Sequence, residues 1–300
     1  MRSNRLSCLR WQNEEKAHWI IGDGFRCACF DEGRNTMKTI SILNLKGGVG
    51  KTFTTINMAY ELYRRGFRVL LLDNDKQGNL SRAYGRYDME RMAPASRLLD
   101  GNWREVEELI LHTDYEGIDI IPSNLSLLGA TWRLTAEEGE NQLLRYCDFM
   151  KRAEAYGSYD YCIIDNPPDV GLNVVNSLTV TDEVIVPVKV DEWALEGLDI
   201  LADQIEDARQ YNPGLKLLGV LITVYQNTDG EAAGREWLEK QAEKEQISGK
   251  RIYPVLGTIR YSRKAVESTF CCKPVYEYSP RCSAAQDYKR FVTWYTGIGR

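Results

Sequence analysis

The stretch NLKGGVGKTFTT, residues 44–55, gathers the residue types best suited to chemistry. Gly47, Gly48 and Gly50 let backbone N–H groups converge on one point, and such amides bind phosphate oxygens. Lys51 stands where a cation would reach the outer phosphates of a nucleotide, and the Thr52 hydroxyl would hold Mg²⁺. Val49 and Phe53 complete the loop and the turn after it. The helix beginning there adds its dipole. A glycine-rich βα turn that binds nothing is the bland alternative. It is weak here, because the glycines, the Gly-Lys-Thr and a strand-then-helix context occur together. A second lysine, Lys46, lies inside the glycine turn, and a phosphate loop alone gives it no task.

The elements that must hold this loop can be read around it. Strand-like runs are TISILN (39–44), RVLLLD (68–73), IDIIP (118–122), YCIID (161–165), VIVPV (184–188) and LLGVLIT (217–223). Helix-length patterns lie between most of them, such as 54–66, closed by Gly66. Short β-branched runs alternating with helices predict an α/β fold, a mostly parallel twisted sheet with helices on both faces, and the glycine loop makes it of the P-loop NTPase type. The last pattern, 283–297, sets Ala284, Ala285, Tyr288, Phe291, Val292 and Tyr295 on one helical face.

Composition narrows the classes further. With 300 residues, 43% hydrophobic and 27% charged, the chain reads as globular. No apolar run approaches the ~18 residues that span a bilayer. Two histidines, His18 and His112, argue against histidine catalysis. Eight cysteines include no C-x-x-C pair, so reduced thiols are expected. Residues 1–36 lack period and hold two tryptophans and three cysteines; they read as an extension, loosely attached or untranslated, ahead of a 37–300 domain that starts naturally at Met37. Net charge is −5, yet residues 250–300 hold ten Lys/Arg against three Asp/Glu, leaving −12 for the rest. Such asymmetry marks either a face for a polyanion or chance clustering.

Residues 46–52, KGGVGKT, carry a resemblance to the ParA/MinD group of deviant Walker A ATPases. The usual P-loop has glycine where this chain has Leu45. In that family the extra lysine, here Lys46, reaches across a two-fold interface to the partner's ATP. LLLDNDKQGNLS (70–81) resembles the family's D-x-D-P-Q-G-N motif, with Asp73 and Asp75 on its two aspartates and Lys76 in place of proline. The resemblance implies that Asp75 orients the attacking water. YDYCIIDNPPDVG (159–171) is similar to the Walker B segment, so Asp165 would bind Mg²⁺ through water; Asp169 stands where serine is common. Segments 121–134, 186–198 and 272–279 match in order, and Ile259–Ser262 replaces the loop I-P-R-N near the adenine.

The resemblance implies a cytoplasmic, nucleoid-associated ATPase with ATP and Mg²⁺ as cofactors, catalysed by Lys46, Lys51 and Asp75. Residues 46–53 would bind nucleotide, and Thr52 and Asp165 the metal. Within the group the sequence resembles ParA partition proteins of the Soj type. It would dimerise with ATP, bind DNA non-specifically and answer to a ParB-like centromere-binding protein. Arg260, Arg263, Lys264, Arg281, Lys289 and Arg290 are the candidate DNA contacts. The runner-up is a MinD-like membrane-positioning ATPase. The tail, ending TGIGR, lacks the basic amphipathic helix it needs, so no membrane partner is expected. An iron–sulfur reductase and a tyrosine kinase fit less well, for want of placed cysteines and a terminal tyrosine cluster.

Overall fold

A computed structural model describes residues 37–137, 140–191, 194–244 and 253–297. The expected extension 1–36 and the last three residues of the tail lie outside the described residues. One eight-stranded sheet runs in the order β3-β4-β2-β5-β1-β6-β7-β8. Its strands are β1 Lys38–Ile42, β2 Val69–Asp73, β3 Leu111–His112, β4 Ile118–Ile121, β5 Tyr161–Asp165, β6 Glu183–Val188, β7 Lys216–Tyr225 and β8 Val255–Arg260. All pairings are parallel except β3 with β4.

The central strands are buried on both sides, which is why they read as unbroken apolar runs. Along β2 the period of two sorts the residues: Val69 and Leu71 enter one apolar cluster, Leu70 and Leu72 another on the opposite face. The first face is covered by α1 (Lys51–Arg64) and α11 (Ser283–Thr296), the helix whose apolar face the sequence marks. The second face is covered by α3 (Pro94–Leu99), α4 (Ser126–Thr135) and α5 (Arg145–Gly157) on one half, and by α6 (Leu172–Val180) and α7 (Ala194–Ala208) on the other. The described residues also form α2 (Asn79–Ala83), α8 (Asp229–Lys244), α9 (Arg263–Phe270) and α10 (Val275–Tyr278), with Leu80 and Val275 reaching into the first face's core.

Three expectations change. Helix α1 starts at Lys51, not at 54, because Gly50 in the left-handed region (φ +82°) already serves as its N-cap. Strands β3 and β8 were not among the strand-like runs. Cys162, Cys271, Cys272 and Cys282 are free thiols as expected, but Cys147 is disulfide-bonded.

Strand order positions the site. The chain runs out from β1 to β2 on one side and, after β5, continues to β6 on the other. Ligands of open α/β sheets bind at the carboxyl ends of strands where the order reverses. Here Ile42 of β1 and Asp73 of β2 both register with Asp165 of β5, so the loops after three neighbouring strands leave the sheet side by side. No helix among the described residues is long and apolar enough to cross a membrane.

Candidate functional site

The loop between β1 and α1 turns through Gly48 (φ +72°) and Gly50 (φ +82°), both in the left-handed region. A Cβ at Gly47 or Gly48 would meet nothing within 4 Å, so the glycines serve the turn and leave open space above it. Asn44 anchors the turn: its Oδ1 accepts from the Lys46 N–H at 2.9 Å, and its Nδ2 donates to the Pro187 carbonyl at 2.7 Å. Val49 is buried, and its carbonyl accepts from the Thr223 hydroxyl at 2.8 Å, fixing the loop to the end of β7.

Lys51 is buried at the base of this loop. Its Nζ donates to the carbonyls of Asn44 (3.0 Å) and Lys46 (2.9 Å). Burial lowers its pKa from the ordinary lysine value, while Asp165, Asp75 and Asp169 pull the other way. Lys46 behaves differently: its ammonium is half exposed and forms an ion pair with Asp191, in the segment after β6. Phe53 turns aside from the loop, its ring packed edge-on against Tyr288 of α11 at 5.8 Å.

The carboxylates meet beneath Lys51. Asp165 ends β5 fully buried, has Thr52 near enough to favour its charged form, and lies 3.4 Å from the Thr55 hydroxyl through Oδ1. Its Oδ2 has no partner although it is buried. Burial pushes its pKa well above the ordinary carboxylate range, and Asp73 and Asp75 nearby add to this. Asp73, at the end of β2, accepts from the Ser81 N–H (2.8 Å) and hydroxyl (2.6 Å); burial still raises it to about 7. Asp75 lies two residues on. Its Oδ1 accepts from the Gln77 N–H at 3.0 Å and its carbonyl from the Gly78 N–H at 2.9 Å, which folds the loop tightly. Lys76 and Asp169, each a departure from the family pattern, form an ion pair with each other at 2.9 Å.

The structure thus brings Lys51, Thr52, Asp73, Asp75 and Asp165 together, with Lys46 at the rim. Sequence reasoning missed Asn44, Thr223 and Asp191, which act through tertiary contacts. Asn44 and Asp191 lie inside stretches the sequence singled out, 44–55 and 186–198, but nothing local named their partners.

Beyond the glycine loop, a cavity of about 700 Å³ is lined by Tyr225, Gln226, Asn227, Arg260, Tyr261 and Asp287, among others. Ile259, by contrast, is buried in the core. Arg260 makes a two-pronged contact with the buried Asp287, both arms at 2.9 Å, and Arg290 pairs with the same carboxylate. Lys264 pairs with Glu267 on α9.

Comparison with known proteins bears on the family and the fold. A family model described as an AAA domain matches residues 37–217. The chromosome partitioning protein ParA of Caulobacter vibrioides is 34% identical over 261 residues, covering 86% of this chain and 93% of that protein. The sporulation initiation inhibitor protein Soj of Bacillus subtilis is 33% identical over 255 residues, covering 84% and 95%. The solved structure of cobyrinic acid a,c-diamide synthase from Mycobacterium smegmatis, with bound ADP and magnesium, superposes with a TM-score of 0.70 at 28% identity, covering 87% of this chain and 97% of that one. On these likenesses and on its own P-loop and carboxylates, the chain belongs to the ParA/MinD family of P-loop ATPases, on its ParA side.

Proposed function

We propose that this protein is a nucleotide-switched partition ATPase. It binds ATP with Mg²⁺, dimerises, binds DNA without sequence preference, and hydrolyses ATP when a ParB-like partner stimulates it. The observation that carries the reading is the convergence of Lys51, Thr52 and Asp165 under an open glycine turn, with one buried Asp165 oxygen left unpartnered. An orphaned buried carboxylate oxygen beside a threonine hydroxyl fits a hydrated Mg²⁺, held by Thr52 directly and by Asp165 through water. When bound, the ion would neutralise charge on the phosphate oxygens.

The remaining work falls to the chain. Backbone N–H groups of residues 47–52 would cradle the phosphates, and Lys51 would exchange its two carbonyl partners for phosphate oxygens. Asp75 sits in a tight loop that would orient a water toward the terminal phosphate. Lys46, held at the rim by Asp191, would swing to the nucleotide of a second copy, making dimerisation depend on bound triphosphate. The cavity beside Tyr225 and Tyr261 is the candidate for the base, since Arg260 and Tyr261 of the segment that stands for the adenine loop line it.

Calorimetry of ATP binding with Mg²⁺ tests the site. The wild-type chain should bind and Lys51→Ala should lose at least about a hundredfold in affinity, as removing a buried charge partner of a phosphate implies. Equal affinities would refute the assignment.

A further inference from the structure

The loops carrying Asp75 and Asp165 are joined by more than proximity. Asn74, between Asp73 and Asp75, is fully buried. Its Nδ2 donates to Asn166 Oδ1 at 2.8 Å and to the Asn173 carbonyl at 3.0 Å. Its Oδ1 accepts from the Tyr146 hydroxyl at 2.8 Å, and its own carbonyl accepts from Asn173 Nδ2 at 2.9 Å. Its backbone N–H donates to the Asp165 carbonyl at 2.9 Å. Asn166, next to Asp165, is equally buried, and its Oδ1 takes a second bond from Ser177 at 2.8 Å. Every hydrogen-bonding group of Asn74 is therefore used, and each side chain is adjacent to a carboxylate of the candidate site.

A fully satisfied buried amide network is stiff, because breaking one bond strands a polar group away from water. The exposed Lys76–Asp169 pair joins the same two loops, but ion pairs in water hold little. The tie therefore lies in the amides. The inference rests on the ATPase reading above: we infer that Asn74 and Asn166 are positioning residues, a buried amide latch that makes the Asp75 loop and the Asp165 loop respond to bound nucleotide as one unit. Asn166 senses the metal side through its neighbour Asp165. Asn74 passes the displacement to Asp75, whose carboxylate must be placed within a fraction of an ångström to align a water.

Hydrogen–deuterium exchange of the full chain, with and without Mg²⁺ and a non-hydrolysable ATP analogue, tests the latch. In the wild type, nucleotide should slow exchange in 73–81 and 165–173 together. In Asn166→Ala and the milder Asn166→Ser, protection should remain in 165–173 and disappear from 73–81. Turnover should fall about tenfold or more while KM stays within about threefold, the signature of lost alignment. Ile205→Ala, a core cavity under α7 on the other half of the sheet, serves as a control for lost stability and should keep the wild-type turnover. Protection of both loops in a folded Asn166 variant, or turnover no lower than in the Ile205 control, overturns the latch. So does a wild type protected in only one loop, which needs no variant to fold. Protection in neither loop of the wild type overturns the ATPase reading itself.

Discussion

Keeping a carboxylate in the protein interior is costly unless it is neutral or paired, and this site keeps two on neighbouring strands. Asp73 and Asp165 are register partners across β2 and β5. Their shifts have a consequence for stability. Asp73 titrates at about 7 in the folded chain against an ordinary value of 3.8, so the folded state holds a proton there that the unfolded state has released. Stability from this group is complete below about 4 and is lost as pH rises through about 7. In the nucleotide-free protein, Asp73→Asn should therefore gain on the wild type progressively across that window. Urea unfolding from pH 4 to 8 measures it; a stability difference that does not change with pH would contradict the burial argument. Asp75 has a different expected role. Asp75→Ala should still form ATP-dependent dimers on a sizing column, because its hydrogen bonds run within its own loop to Asp73, Gln77 and Gly78, yet lose turnover. Monomers in ATP, or normal phosphate release, would count against that role.

At the scale of elements, a strained turn offers a separate test. Cys272, after α9, sits at φ +50°, in the left-handed region. That conformation costs an L-residue ~1–2 kcal/mol, which glycine avoids while adding unfolded-state entropy of ~0.5–1 kcal/mol. Cys272→Gly should raise stability by up to ~1 kcal/mol, or about 2–4 °C in melting temperature for a domain of this size. A lower melting temperature would show that the exposed thiol makes a contact worth more than the strain. The same physics explains what could be read from the sequence. Strands β1, β2 and β4 to β7 are buried runs of apolar residues and announce themselves. Strand β3 is two exposed residues with no pattern to detect, and β8 is interrupted by Gly257 and half exposed. Residues 46–52, Asp75 and Asp165 were legible because their chemistry needs fixed local spacing. Asp191 meets Lys46 from 145 residues away, and Asn166 meets Asn74 from 92; such partners exist only once the sheet has formed.

For the whole molecule, the distribution of charge decides what it can approach. A chain of net charge −5 is repelled by DNA unless its cations gather on one face. Of the six candidate contacts, Arg260 and Arg290 share the buried Asp287, and Lys264 pairs with Glu267. Arg263, Arg281 and Lys289 form no ion pair among the described residues, so they are the cations most available to phosphate. A dimer doubles whatever face they make. Each phosphate neutralised releases counterions, so log affinity should fall with log salt at about 0.9 per contact. Reversing Arg263 and Lys289 to Glu should weaken binding to all sequences alike and flatten that slope while leaving ATP-dependent dimers intact. Wild-type affinity and slope in this double variant would place the DNA face elsewhere.

The central claim, a switch set by nucleotide, is met most directly by measuring DNA binding with ATP and Mg²⁺, with ADP and Mg²⁺, and with neither. Binding should be tight, salt-sensitive and sequence-independent with ATP, and weaker by about a hundredfold or more in the other two states, because only the triphosphate would join two basic faces. Equal binding in all three states, or none in any, would contradict it.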